Sequence, residues 1–142
     1  MIEDKPNSKI LKVRMLRTEA KLLCFDAPDS YWDAPEIELA ECYNGAGPDW
    51  LGETGREVAT EILEDFEAEM TIHDWEFKMA DGTRSGFNKA NNRFWDNMQN
   101  RINKEAPIWK LWKLRKRLKM YALARIAYRS CDWFGWSAWK DV

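Results

Sequence analysis

His73 is the only histidine in a chain of 142 residues, and Asp74 follows it directly. Imidazole ordinarily changes charge near neutral pH, so it can take up a proton and hand it on. His73 lies three residues after Met70 and four before Phe77, in step with an apolar stripe at helical spacing. Asp74 sits roughly 100° further round such a helix, so its carboxylate faces another way. Asn91 follows Phe87 by four residues and precedes Phe94 by three, which turns its amide inward on the next helix. Two polar groups on the buried faces of consecutive helices are costly unless they meet each other or a ligand. That pair is the candidate site. The plain alternative is a core histidine satisfied by a hydrogen bond.

The elements that must position it follow from periodicity. Val58, Ile62, Phe66, Met70 and Phe77 predict a helix from near Thr54 to near Met79, opened by Thr54 and Glu57 in the form of a capping box and ended by Asp81-Gly82. A second helix is expected from about Ser85 to Asn103, with Phe87, Ala90, Phe94, Met98 and Ile102 on one face. Pro107 suits the first turn of a third helix running to about Arg129, and the tail carries Trp133, Trp136 and Trp139. Upstream, residues 9–25 alternate apolar and basic types loosely, as a strand would, or a short helix around Thr18–Leu23. Residues 26–36 and 44–55 are dense in breakers and read as loops. The chain therefore reads as mainly α and as a single domain over 1–142. An irregular N-terminal segment (1–41) precedes a loop and antiparallel helix-pair core (42–103), and a basic, tryptophan-rich helix and tail follow (104–142).

Composition narrows the class. Hydrophobic residues at 45% and charged ones at 32% suit a soluble globular protein rather than a disordered one. No run of about 18 apolar residues exists, so no transmembrane helix is expected. The polar, acidic start Met1-Ile2-Glu3-Asp4 lacks the basic residues and apolar core of a secretory signal. Cys24, Cys42 and Cys131 are sparse, odd in number and without CxxC spacing. They read as reduced, part-buried thiols, not as a zinc site or a disulfide framework.

A resemblance enters at two places. Cys42-Tyr43-Asn44-Gly45-Ala46-Gly47, followed by a helical His73-Asp74, resembles the phospholipase A2 superfamily. Thr71-Ile72-His73-Asp74-Trp75 with the run Asn88 to Met98 is similar to small phospholipase A2-like proteins encoded by bacteriophages and prophages. The resemblance spans about residues 42–139 and implies a phospholipase A2-like helix pair. It implies calcium held by the main-chain carbonyls of Tyr43, Gly45 and Gly47 with the Asp74 carboxylate, and His73 as the base that deprotonates water. Calcium suits oxygen donors in a tolerant geometry. Where the family's second helix carries an Asp behind the imidazole, this chain has Asn91, and where relatives carry flanking cysteines it has Ala46 and Met70. An amide cannot stabilise an imidazolium as a carboxylate does, so the calcium-dependent phospholipid ester hydrolysis implied is weak or lost.

Charge is lopsided. Residues 1–100 balance to −10 and residues 101–142 to +8. Trp109, Lys110, Trp112, Lys113, Lys116 and Arg117 give the third helix a basic, aromatic surface that fits an anionic phospholipid surface. The same helix fits a host protein, or nucleic acid through its phosphates. Its bland reading is an apolar face on the core and a basic face paired with the acidic half. The functional expectation is a phage-type phospholipase A2-like protein in the host cytoplasm or virion, peripheral to a membrane at most, with a non-catalytic binding protein and a nucleic-acid binder as alternatives.

Overall fold

Three- and four-residue spacing of apolar side chains dominates the chain, and the protein is correspondingly helical. A computed structural model describes residues 4–43 and 56–141, with no strand among them. The elements are α1 (Asp4–Leu22), α2 (Asp29–Asp33), α3 (Glu36–Cys42), α4 (Arg56–Lys78), α5 (Arg84–Glu105), a 3-10 turn (Leu111–Lys113), α6 (Leu114–Phe134) and α7 (Trp136–Lys140).

Helices α4 and α5 run antiparallel. Phe77 meets Phe87, His73 meets Asn91 and Glu69 meets Arg101, so contacts move up one helix as they move down the other. The turn between them is built for this. Gly82 takes a left-handed φ of 73°, and Asp81 Oδ1 accepts from the Thr83 backbone N–H at 2.9 Å and from its hydroxyl at 2.7 Å. Thr83 caps α5 by accepting from the Gly86 N–H at 3.0 Å. A β-carbon at Gly86 would stand 2.5 Å from the Asp81 carboxylate, so only glycine lets the turn close this tightly.

Helix α4 is buried on opposite sides. Ala68, Ile72 and Trp75 pack with Val13, Leu16 and Ala20 of α1 and with Tyr31 and Leu39. Ile62, Phe66 and Met70 pack with Phe94, Met98 and Ile102 of α5 and Met120, Leu123 and Ala127 of α6. Phe66 itself leaves helical geometry (φ −131°, ψ 32°), kinking α4 between the two cores.

Three expectations need correction. Residues 9–25 are neither a strand nor a short helix, since α1 spans Asp4–Leu22. Among its described side chains the buried stripe is Val13, Leu16 and Ala20, while Leu11, Met15 and Leu22 stand exposed and blur the period. The N-terminal segment is likewise not irregular, because residues 26–36 include α2 and the start of α3. The third helix begins later than Pro107. Lys110 N–H donates to Pro107 O and Lys113 N–H to Lys110 O, tight turns that reverse the chain before α6 starts at Leu114. Thr54 and Glu57 of the expected capping box lie outside the described residues and side chains.

Arg101 ties the layers together. Its guanidinium makes a bidentate pair with Glu69 at 2.8 Å for each bond, and also meets Glu19 of α1 at 2.7 Å and Glu105 at 3.1 Å. Glu69 is fully buried, and burial pushes its carboxyl up against the pull of Arg101. Removing one partner strands the other's charge in the interior. Arg101→Ala is expected to lower unfolding free energy by about 3–5 kcal/mol in urea titrations, and Glu69→Leu/Arg101→Met to recover most of that loss.

Candidate functional site

The antiparallel pairing brings His73 and Asn91 together. His73 Nε2 lies 2.9 Å from Asn91 Oδ1, and both residues are buried, at 5% and 1% exposure. A carboxamide oxygen only accepts, so in this orientation Nε2 carries the hydrogen and donates it, leaving the Nδ1 lone pair as the basic position. The ring lies between Phe77 and Phe94, with centroids 4.6 and 4.7 Å away. Phe77 is seated under the α6–α7 junction, where a β-carbon on Gly135 would come within 3.0 Å of its ring. Burial among these rings pushes the imidazole down to about 4, and the hydrogen bond to Asn91 opposes this only in part. The ring is therefore neutral at pH 7. Among the described residues the Asn91 Nδ2 amide finds no hydrogen-bond partner, which leaves a buried donor beside the ring.

Asp74, roughly 100° further round α4, is half-buried. Its charge reaches the start of the glycine-containing segment. It helps burial raise the Cys42 thiol to about 11, and it adds to burial and Glu67 in raising the Tyr43 phenol. The Tyr43 hydroxyl donates to Glu67, which pairs with Lys12 at 3.1 Å. That side chain is committed, so Tyr43 could serve a cation only through its main-chain carbonyl. Gly45 and Gly47 lie outside the described residues. Among the described residues no three His, Cys, Asp or Glu side chains gather to hold a metal.

Two polar pairs on the same helices lie outside the candidate site read from the sequence. Besides Glu69–Arg101, Glu76 accepts from Arg93, which also reaches Asp26 at 2.8 Å. The sequence carries a signal for the first pair, since Glu69 precedes His73 by four residues and Arg101 follows Phe94 by seven, both inward positions. Cys131 is buried and Cys42 half-buried, but Cys24 is exposed, contrary to expectation.

The basic surface is only partly where the sequence placed it. Trp109 and Trp112 are 70% and 75% exposed, and Lys110 sits 4.9 Å over the Trp109 ring. Lys116 is exposed, 3.8 Å from Glu105. Lys113 and Arg117 instead turn inward. Lys113 donates to Glu105 O at 3.0 Å, and Arg117 to Asn103 Oδ1 at 3.0 Å and Ala106 O at 3.1 Å. The open carbonyls at the end of α5 claim these two side chains. No helix among the described residues is long and apolar enough to cross a membrane. No protein-family model, curated protein or solved structure matches the chain.

The depressed imidazole has a definite sign. Its contribution to stability is present above about pH 6.5 and is lost as pH falls through about 4, worth about 3 kcal/mol across that window. Glu69 and Glu76, raised by burial, act oppositely, so the ring itself is the cleaner reporter. With one histidine there is one imidazole resonance. In an NMR titration it is expected to keep its neutral shifts from about pH 7 down to about pH 5, whereas a midpoint near 6.5 would place the ring in water.

Proposed function

We propose that this is a phage-type phospholipase A2-like protein whose His73 site carries weak or lost calcium-dependent phospholipid ester hydrolysis. The observation that carries the reading is the buried His73–Asn91 hydrogen bond between antiparallel helices, with Asp74 next in sequence and within electrostatic reach of Tyr43. A calcium ion would be held by the Asp74 carboxylate and the carbonyl of Tyr43, with Gly45 and Gly47 supplying the remaining carbonyls. When bound, it would supply charge to polarise an ester carbonyl. One carboxylate with neutral oxygens fits a weak site.

The protein's own residues set the level of activity. In hydrolysis His73 Nδ1 would take the proton of a water while Nε2–H stays on Asn91. A ring pushed down to about 4 is unprotonated at pH 7 but a feeble base. Proton transfer to it creates an imidazolium faced by an amide, with no opposing charge. In a serine-protease triad the comparable loss of a carboxylate costs about 10⁴ in turnover.

Asn91 also favours a second reading, a non-catalytic relative that retains the helix pair and binds a host protein, a membrane surface or the virion.

The two readings separate on one substitution. Asn91→Asp is expected to raise the His73 imidazole pKa and to increase fatty-acid release from anionic vesicles in millimolar-range calcium by orders of magnitude, toward the factor of about 10⁴ that the amide costs. His73→Ala in the same background is expected to abolish the gain. If folded Asn91→Asp protein, checked by circular dichroism, releases nothing above background, hydrolysis is discarded and the binding reading stands.

A further inference from the structure

Helix α6 is amphipathic inward in the ordinary way. Met120, Leu123, Ala124, Ala127 and Cys131 pack against α4 and α5. Its opposite face is unusual, because it is not simply polar. Leu118, Ile126 and Trp133 are 62%, 45% and 73% exposed, and their spacing puts them on one side of the helix. The face continues into the preceding 3-10 turn. One turn of three residues sets Leu111, 75% exposed, in line with Leu114, which leads on to Leu118. Ile108 and Trp109, 71% and 70% exposed, extend the apolar surface past the start of the turn.

Positive charge dominates this surface, with Glu105 at its start and Asp132 beside Trp133 at its end. Residues 106–131 contain eight Lys or Arg and no Asp or Glu. Two of the eight, Lys113 and Arg117, are drawn inward onto the end of α5. Arg115, Arg125 and Arg129 stand exposed among the outward apolar side chains. The polarity of the first turn is thus reversed: cations anchor it inside and tryptophans face water.

We propose that the outward face of α6 and its lead-in turn is a docking surface for an anionic lipid bilayer, with the helix lying in the plane of the interface. Tryptophan, leucine and isoleucine side chains enter the headgroup and upper acyl region, while the long arginine and lysine side chains reach out to lipid phosphates. Nucleic acid supplies the phosphates but no sink for the exposed aliphatic side chains. Leu111, Leu114, Leu118, Ile126 and Trp133 exposed along one line of the turn and helix make an apolar face of the kind that marks an interaction surface. The proposal stands on exposure and charge alone and does not depend on His73 chemistry.

The test is co-sedimentation of the full chain with phosphatidylcholine vesicles, with or without phosphatidylglycerol. Binding is expected to the anionic vesicles, weakening as salt rises. Trp109→Ser/Trp112→Ser is expected to weaken it at least tenfold, and Arg125→Gln and Arg129→Gln by about fivefold each. These side chains are exposed or on the exposed face, so the fold should persist, and circular dichroism checks it. Quenching of tryptophan emission by brominated lipid, reduced in the tryptophan variant, would support insertion. No binding to anionic vesicles at low salt, or binding untouched by the tryptophan substitutions, overturns the proposal. Tighter binding to an oligonucleotide than to vesicles, or lipid-independent self-association lost in the tryptophan variant, overturns it too and assigns the face to nucleic acid or to a second copy.

Discussion

Helix α4 is covered by α1 to α3 on one side and by α5 and α6 on the other, so its buried Glu69, His73 and Glu76 cannot rely on water. Each must meet a partner from a neighbouring helix. Glu69 finds Arg101, His73 finds Asn91 and Glu76 finds Arg93, three rungs in succession between α4 and α5. Apolar packing supplies most of the driving force, but it is non-directional. The rungs are directional, and a one-turn slip of α5 along α4 would leave every one of them unpaired in the interior. The register that places an amide against the imidazole is therefore the register that the ion pairs on either side also require.

Within that constraint His73 is an unusual member. The flanking rungs join opposite charges, whereas His73 and Asn91 are both neutral and their contact leaves an amide donor unmatched. A site shaped only for packing has no need of a polar pair between two phenylalanine rings. A site shaped for strong base catalysis would place a carboxylate there. The arrangement fixes the orientation of the ring with a neutral partner and sets no charge against it.

Much of this was legible in the sequence because α5 has a clean apolar face and because His73 and Asn91 both fall on inward positions. The N-terminal helices were not. The buried stripe of α1 has few members, and its exposed Leu11, Met15 and Leu22 mimic an alternating pattern. Proline and aspartate near residues 28–35 looked like loop material, yet Pro28 and Pro35 stand immediately before the first residues of α2 and α3, where a missing N–H costs nothing. Lys113 and Arg117 could not be separated from their exposed neighbours by composition, since what draws them inward is the set of acceptors at the end of α5. The glycine-containing segment after Tyr43, with the cation ligands expected there, lies outside the described residues.

The reversed polarity of the turn before α6 also bears on how the molecule behaves among its own copies. Its formal net charge is only −2 at pH 7, so little long-range repulsion keeps molecules apart. Exposed tryptophan and leucine beside a cluster of cations then offer short-range attraction to any acidic, apolar neighbour. As concentration rises, that turn is one place where copies would first adhere.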